Sequence, residues 1–271
     1  MKKIAIFSLA AVMMVSCGGN QKSQNQDIVE GDSISFEQEQ IEAGIKVQID
    51  SLAAEFARMQ QMPFMQALKN GELLLTEEEK LAKPDYLVDP IAVEELITLS
   101  QKYRAVAILT VDRTLAKAYE IDIEPYDNAI KSLLVQINDP AFDAFTSDDD
   151  TPFTEAVQQF YDTEDENGRI NFFWETVTTV VAEEIYTLAQ HQDDALMACI
   201  DDHAAESITL RVALLQDGLE RLSVYAPELE QLCETIRPLQ QLNALTAQEL
   251  KEQVAGMKDE IEAIRNSLLL D

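Results

Sequence analysis

Along most of the chain, apolar residues recur at spacings of three and four, the period of one helical face. Ile45, Ile49, Leu52, Phe56 and Met59 form such a stripe and predict a helix over 36–62, ended or kinked by Pro63. Asn70-Gly71 marks a turn, and Thr76-Glu77-Glu78-Glu79 has the spacing of a capping box. Asp89-Pro90 pairs an N-cap residue with a proline suited to the first helical position, so it opens a predicted helix reaching Tyr119. The centre of that helix, Ala105 to Leu109, is apolar on all sides, which predicts a position among other helices. Further helices are predicted over 126–137, 153–161, 172–190 and 193–225, with a short one after Pro227. Thr246-Ala247-Gln248-Glu249 repeats the capping-box spacing. Beyond it, Leu250, Val254, Met257, Ile261, Ile264 and Leu268 alternate by four and three, a coiled-coil-like seam long enough to pair with the first helix. The predicted fold class is all-α, a multi-helix bundle of long amphipathic helices joined by short connections.

Composition agrees with this pattern. Only 8 glycines and 8 prolines interrupt 271 residues, of which 46% are hydrophobic. Charge is one-sided: Lys+Arg 20 against Asp+Glu 50, a net of −30. Such a surface repels phosphate backbones, which excludes nucleic acid as an expected partner, and it disfavours direct docking on anionic lipid. It serves solubility, and it attracts basic partners or divalent cations.

Signatures of familiar chemistry are missing. The sequence has no HExxH, no Glu-x-x-His, no Walker loop, no GxGxxG and no GxSxG. A non-enzymatic reading is therefore favoured, with no catalytic residue assigned. His191 is expected at a helix end facing water, and His203 on an exposed face. Cys199 and Cys233 are expected to stay apart: on a continuous helix running to Tyr225, Cys199 would lie ~39 Å from the helix end. Only a break near Asp201-Asp202 would bring them together.

Two features could carry chemistry. The acidic stretch Asp162 to Gly168 is similar to a calcium-binding EF-hand loop, with Gly168 at the sixth position and Asp165 and Asn167 at the third and fifth. Thr163 and Trp174 then occupy the first and twelfth positions, where Asp and a bidentate Glu belong. The stretch is read as an acidic turn, with Asp162, Asp165 and Asn167 as its calcium candidates. The second feature is charge on apolar faces: Arg104, Glu184, Asp201 and Arg211 each fall within or beside a hydrophobic stripe. Isolated buried charge is costly, so at least one of Glu184 and Asp201 is expected to meet Arg104 or Arg211 inside the bundle. Such a set either fixes helix register or forms a polar pocket for a small ligand or a reaction.

The amino-terminal residues are of a different kind. Lys2-Lys3, an apolar run from Ile4 to Val15, Ser16-Cys17 and then a Gln/Asn/Ser-rich stretch make a secretory signal too short to span a bilayer. Met14-Val15-Ser16-Cys17 resembles the lipobox of bacterial lipoproteins, with Met14 in place of the commoner Leu. That resemblance implies cleavage before Cys17, acylation of its thiol, and membrane attachment through the lipid alone, with no other cofactor. Loss of Lys2 and Lys3 takes the charge from −30 to −32. Gly18, where an Asp would favour inner-membrane retention, implies the outer membrane of a Gram-negative cell envelope. The missing acidic run after Cys17 favours the periplasmic face. The expected organisation is a signal peptide over 1–16, a lipidated cysteine and disordered tether over 17–34, and a helical bundle over 35–271. The leading functional expectation is an envelope lipoprotein whose acidic bundle binds or scaffolds another protein. The alternatives are a ligand-binding or enzymatic domain built on the buried charges, and cation binding by the acidic loops. Partner identity and oligomeric state stay open.

Overall fold

A computed structural model describes residues 30–73, 75–93, 95–143 and 151–270. The described residues are all-α: twelve α-helices with 3-10 turns between them. In chain order they are α1 (Glu30–Ala57), α2 (Pro63–Asn70), α3 (Glu77–Leu81), α4 (Leu99–Ala118), α5 (Glu124–Ile137), α6 (Phe153–Glu166), α7 (Ile170–Gln190), α8 (Ala195–Ala198), α9 (Asp202–Leu222), α10 (Glu230–Ile236), α11 (Ala247–Gly256) and α12 (Lys258–Leu270). The chain divides into two units, 1–42 and 43–271. The lipobox and its Cys17 lie outside the described residues. Residues 30–34, expected in the tether, belong to α1.

Caps account for most boundaries. The Thr76 hydroxyl accepts from the Glu79 amide and the Glu79 carboxylate accepts from the Thr76 amide, the full reciprocal box. Gly71 and Gly168 end α2 and α6 in the left-handed conformation, at φ +69° and +66°. After Gly168, the Arg169 amide reaches back to the Glu164 carbonyl, closing α6 and turning the chain straight into α7. Asp89-Pro90 opens only a 3-10 turn, Pro90–Val93. The long helix starts later, at Leu99, behind a capping box of Thr98 and Gln101. The continuous helix expected from Asp193 is broken at Cys199–Asp201, because Asp194 and Asp201 cap two separate helices. Cys199 and Cys233 are nonetheless free thiols. The carboxy-terminal seam bends at Met257, and α12 packs on α7 and α4.

The centre of the bundle is α7. Helices α4, α6, α9, α11 and α12 pack around it, and all but five of its 21 residues are buried. Trp174 is fully buried on this helix, its ring pressed against the backbone of Gly218 on α9, where any side chain would collide with it.

Candidate functional site

A helix surrounded on every side should be apolar throughout, yet α7 carries three buried glutamates, Glu175, Glu183 and Glu184. Glu175 and Glu184 point roughly 180° apart at 3.6 residues per turn. Each carboxylate meets a guanidinium from a different neighbouring helix. Glu175 is drawn to Arg104 of α4 and accepts from the Ser100 hydroxyl at 3.1 Å. Glu184 is drawn to Arg211 of α9. Glu183 accepts directly from Arg265 of α12 at 3.2 Å.

Burial controls the protonation of all three. Desolvation lifts Glu175 and Glu184 from an ordinary 4.5 to about 7, with Arg104 and Arg211 each pulling the other way. Burial likewise depresses the Arg211 guanidinium, which Glu184 partly restores. The Glu184–Arg211 attraction acts across a gap. The Arg211 guanidinium instead donates to the Gln60 carbonyl and lies 5.8 Å over the Phe56 ring, while Glu184 Oε2 has no hydrogen-bond partner among the described residues.

Around Glu183 the polar group is larger. Asp112 of α4 is completely buried, accepts from the Val88 amide at 2.7 Å, and lies 3.9 Å from Arg265. Its carboxyl is pushed well above the usual range by burial first and by the Glu183 charge second. Burial thus favours the protonated form of both carboxyls, and the Arg265 guanidinium pulls each of them the other way. Arg265 also donates to the Tyr86 carbonyl at 3.1 Å and stacks 4.9 Å over Tyr186. The Tyr86 hydroxyl bonds His191, and the other ring nitrogen of His191 bonds Asp194. Burial raises the Tyr86 hydroxyl far above its ordinary value, so it keeps its proton and acts as the donor.

A fourth polar group closes the opposite end of α7. Asp139 accepts from the Tyr103 hydroxyl at 2.5 Å and from Arg169 at 2.7 Å. Burial works to raise the Asp139 carboxyl, and these donors together hold it below its ordinary value. Glu164, buried beside it, is raised to about 8 by burial and by the Asp139 charge.

Of the four charges expected in the core, the structure buries Arg104, Glu184 and Arg211; the last two attract each other across a gap without forming a direct ion pair. Asp201 is different: it is exposed and caps α9, accepting from the Ala204 amide at 2.8 Å. It lies outside the helix on whose face it had been placed. His191, expected to face water, is buried between Tyr86 and Asp194, whereas His203 is exposed. Asp162 and Asp165 sit on α6, which runs through to Glu166, and Asn167 is its C-cap, so the stretch has helical rather than looped geometry. Asp165 is bound by Lys46 at 2.8 Å. Among the described residues, no three His, Cys, Asp or Glu side chains converge as a metal set. Sequence reasoning missed Asp112, Glu164, Glu175, Glu183 and Arg265. Asp112 had a legible signal, a lone carboxylate just after the apolar run 105–109 and Val111.

A cleft of about 570 Å³ runs between the Pro90–Val93 turn and α5, and Arg104, Glu184, Asp201 and Arg211 do not line it; a second is lined in part by Asp194. Comparison with protein-family models, curated proteins and solved structures finds no match to the chain.

Proposed function

We propose that this protein is an envelope lipoprotein, anchored through Cys17, whose acidic helical unit binds or scaffolds another protein. The observation that carries the binding part is a division of labour. The charged groups are sealed inside the bundle, where they face one another and neighbouring polar groups, with Glu184 Oε2 and both Glu164 oxygens left without a hydrogen bond among the described residues. The outward surface instead presents a groove and large exposed apolar side chains, Ile91 and Ile97 among them, at 68% and 86% exposure. Apolar groups left in water beside a groove mark contact sites more often than catalytic ones. Buried ion pairs without a cleft suit register-setting, since each guanidinium fits α7 in one rotational setting only.

The anchor rests on the lipobox resemblance. Among the described residues no helix is long and apolar enough to cross a membrane. Two or more acyl chains would suffice for durable attachment. The Cys17→Ser variant should move to the soluble fraction with an unchanged circular dichroism spectrum; a variant that stays with the membrane refutes the anchor. Photo-cross-linking of the whole chain in its membrane tests the binding part. Capture of no partner from any outward position refutes it.

A further inference from the structure

The cleft beside α5 has the makings of a peptide groove. Two parallel rows of α5 side chains line one wall, each repeating every four residues and so lying along one helical edge. One row is apolar: Pro125, Ala129 and Leu133. The other is polar: Glu124, Asn128, Ser132 and Gln136. The facing wall is the Pro90–Val93 turn, with Ile91 standing out at the rim. A volume of about 570 Å³ lies within the range of ligand-sized clefts. The Asn128 side chain lines the cleft and is exposed, within reach of an incoming backbone.

Charge decides what fits. The charged side chains lining the groove are Asp122 and Glu124, both at the amino-terminal end of α5, and no lining residue is basic. An acidic or neutral segment would leave those carboxylates uncompensated on a surface already far to the negative side. A segment carrying Lys or Arg at one end would neutralise them and fix its own direction in the groove.

We propose that the groove between the Pro90–Val93 turn and α5 docks an amphipathic segment of a partner protein. The segment's aliphatic or aromatic side chains sit on Ile91, Pro125 and Ala129, and its basic residue pairs with Asp122 and Glu124. This deepens the binding-module reading and rests on it. The row at 128, 132 and 136 then serves the peptide backbone, as polar edges do in helix and strand recognition grooves.

The test uses the whole chain in vesicles of zwitterionic phosphatidylcholine. Its probe is a fluorescent decapeptide of leucines and lysines, compared with the same peptide carrying Glu for Lys, and read by anisotropy against empty vesicles. The lysine probe should bind, and the glutamate probe should bind about tenfold or more weaker. Asp122→Asn/Glu124→Gln and, separately, Ala129→Arg should each weaken the lysine probe by about tenfold. The same charge change on the exposed first turn of α12, Asp259→Asn/Glu260→Gln, should leave binding nearly unchanged. Equal loss in that control would mean generalised attraction to an acidic protein and would overturn the proposal. Failure of the lysine probe to bind would overturn it as well. Cross-linking separates this proposal from the parent reading. If wild type and Ala129→Arg capture the same partner equally, the groove is wrong and the binding module stands. If wild type captures nothing, the parent reading fails first.

Discussion

Replacing Glu184 by glutamine should reshape how stability depends on pH. In the folded chain burial holds this carboxyl at about 7, against an ordinary 4.5. A raised acid binds its proton more tightly in the folded state than in the unfolded one. Folding is therefore favoured most below the unfolded value, and stability falls as pH rises from about 4.5 to about 7, levelling off above. At about 1.4 kcal/mol per pH unit the loss is on the order of 3 kcal/mol for this one side chain. Glutamine keeps the shape of the protonated acid and never ionises, so the variant should lack that part of the slope. Losing the Arg211 counter-charge will lower the variant's absolute stability in the alkaline range, so the shape of the curve carries the information. Urea unfolding followed by far-UV circular dichroism, at matched salt from about pH 5 to about pH 8, gives both curves. The general self-repulsion of a −30 chain also grows with pH, and the exposed Glu206→Gln serves as the control for it. Wild type should lose stability across the window, and the Glu206→Gln curve should run parallel to it. The Glu184→Gln curve should be flatter by on the order of 3 kcal/mol. Parallel wild-type and Glu184→Gln curves, or a wild-type stability that climbs with pH, would refute the reasoning.

Gly218→Ala would place a methyl group 2.5 Å from the ring of Trp174. Overpacking of that kind costs about 1–3 kcal/mol, more than the ~1 kcal/mol gained in helix propensity, so a lower urea midpoint and a shifted tryptophan emission are expected. Trp174 is the chain's single tryptophan, so the emission reports this contact alone. Arg265→Met leaves Glu183 and Asp112 with no cation and should destabilise by about 3–5 kcal/mol; adding Asp112→Asn should recover part of it. Thr98→Ala removes the hydroxyl that starts α4 and should cost about 1 kcal/mol in the same unfolding assay.

Stripes on one side of a helix were the easiest part to read. Ile49 and Phe56 are buried together on α1, and Leu250, Val254, Ile261, Ile264 and Leu268 are buried on α11 and α12, as their spacing implies. The Thr76 box was legible because its acceptors and donors are adjacent in sequence. Misreadings arose where two local signals competed. Asp89-Pro90 and Thr98-Leu99-Ser100-Gln101 both announce a helix start, and only the second has a side chain that can close the box reciprocally. Asp201 lay on an apolar face only while the helix was taken as unbroken; once it caps α9 it has no face at all. Glu175 and Glu183 escaped notice because the sequence pattern singles out only the stripe that holds Glu184, whereas the helix is buried on nearly every side. His191 depends on Tyr86, more than a hundred residues earlier, a partner that local pattern cannot supply.

The Asp112, Glu183 and Arg265 group also sets an order of events. The two carboxyls lie on α4 and α7, and the cation paired with them among the described residues arrives only with α12, at the far end of the chain. A chain emerging amino end first therefore brings out both acids well before the guanidinium that pairs with them. Closure of the core around Asp112 and Glu183 thus waits on α12, the last helix of the described residues.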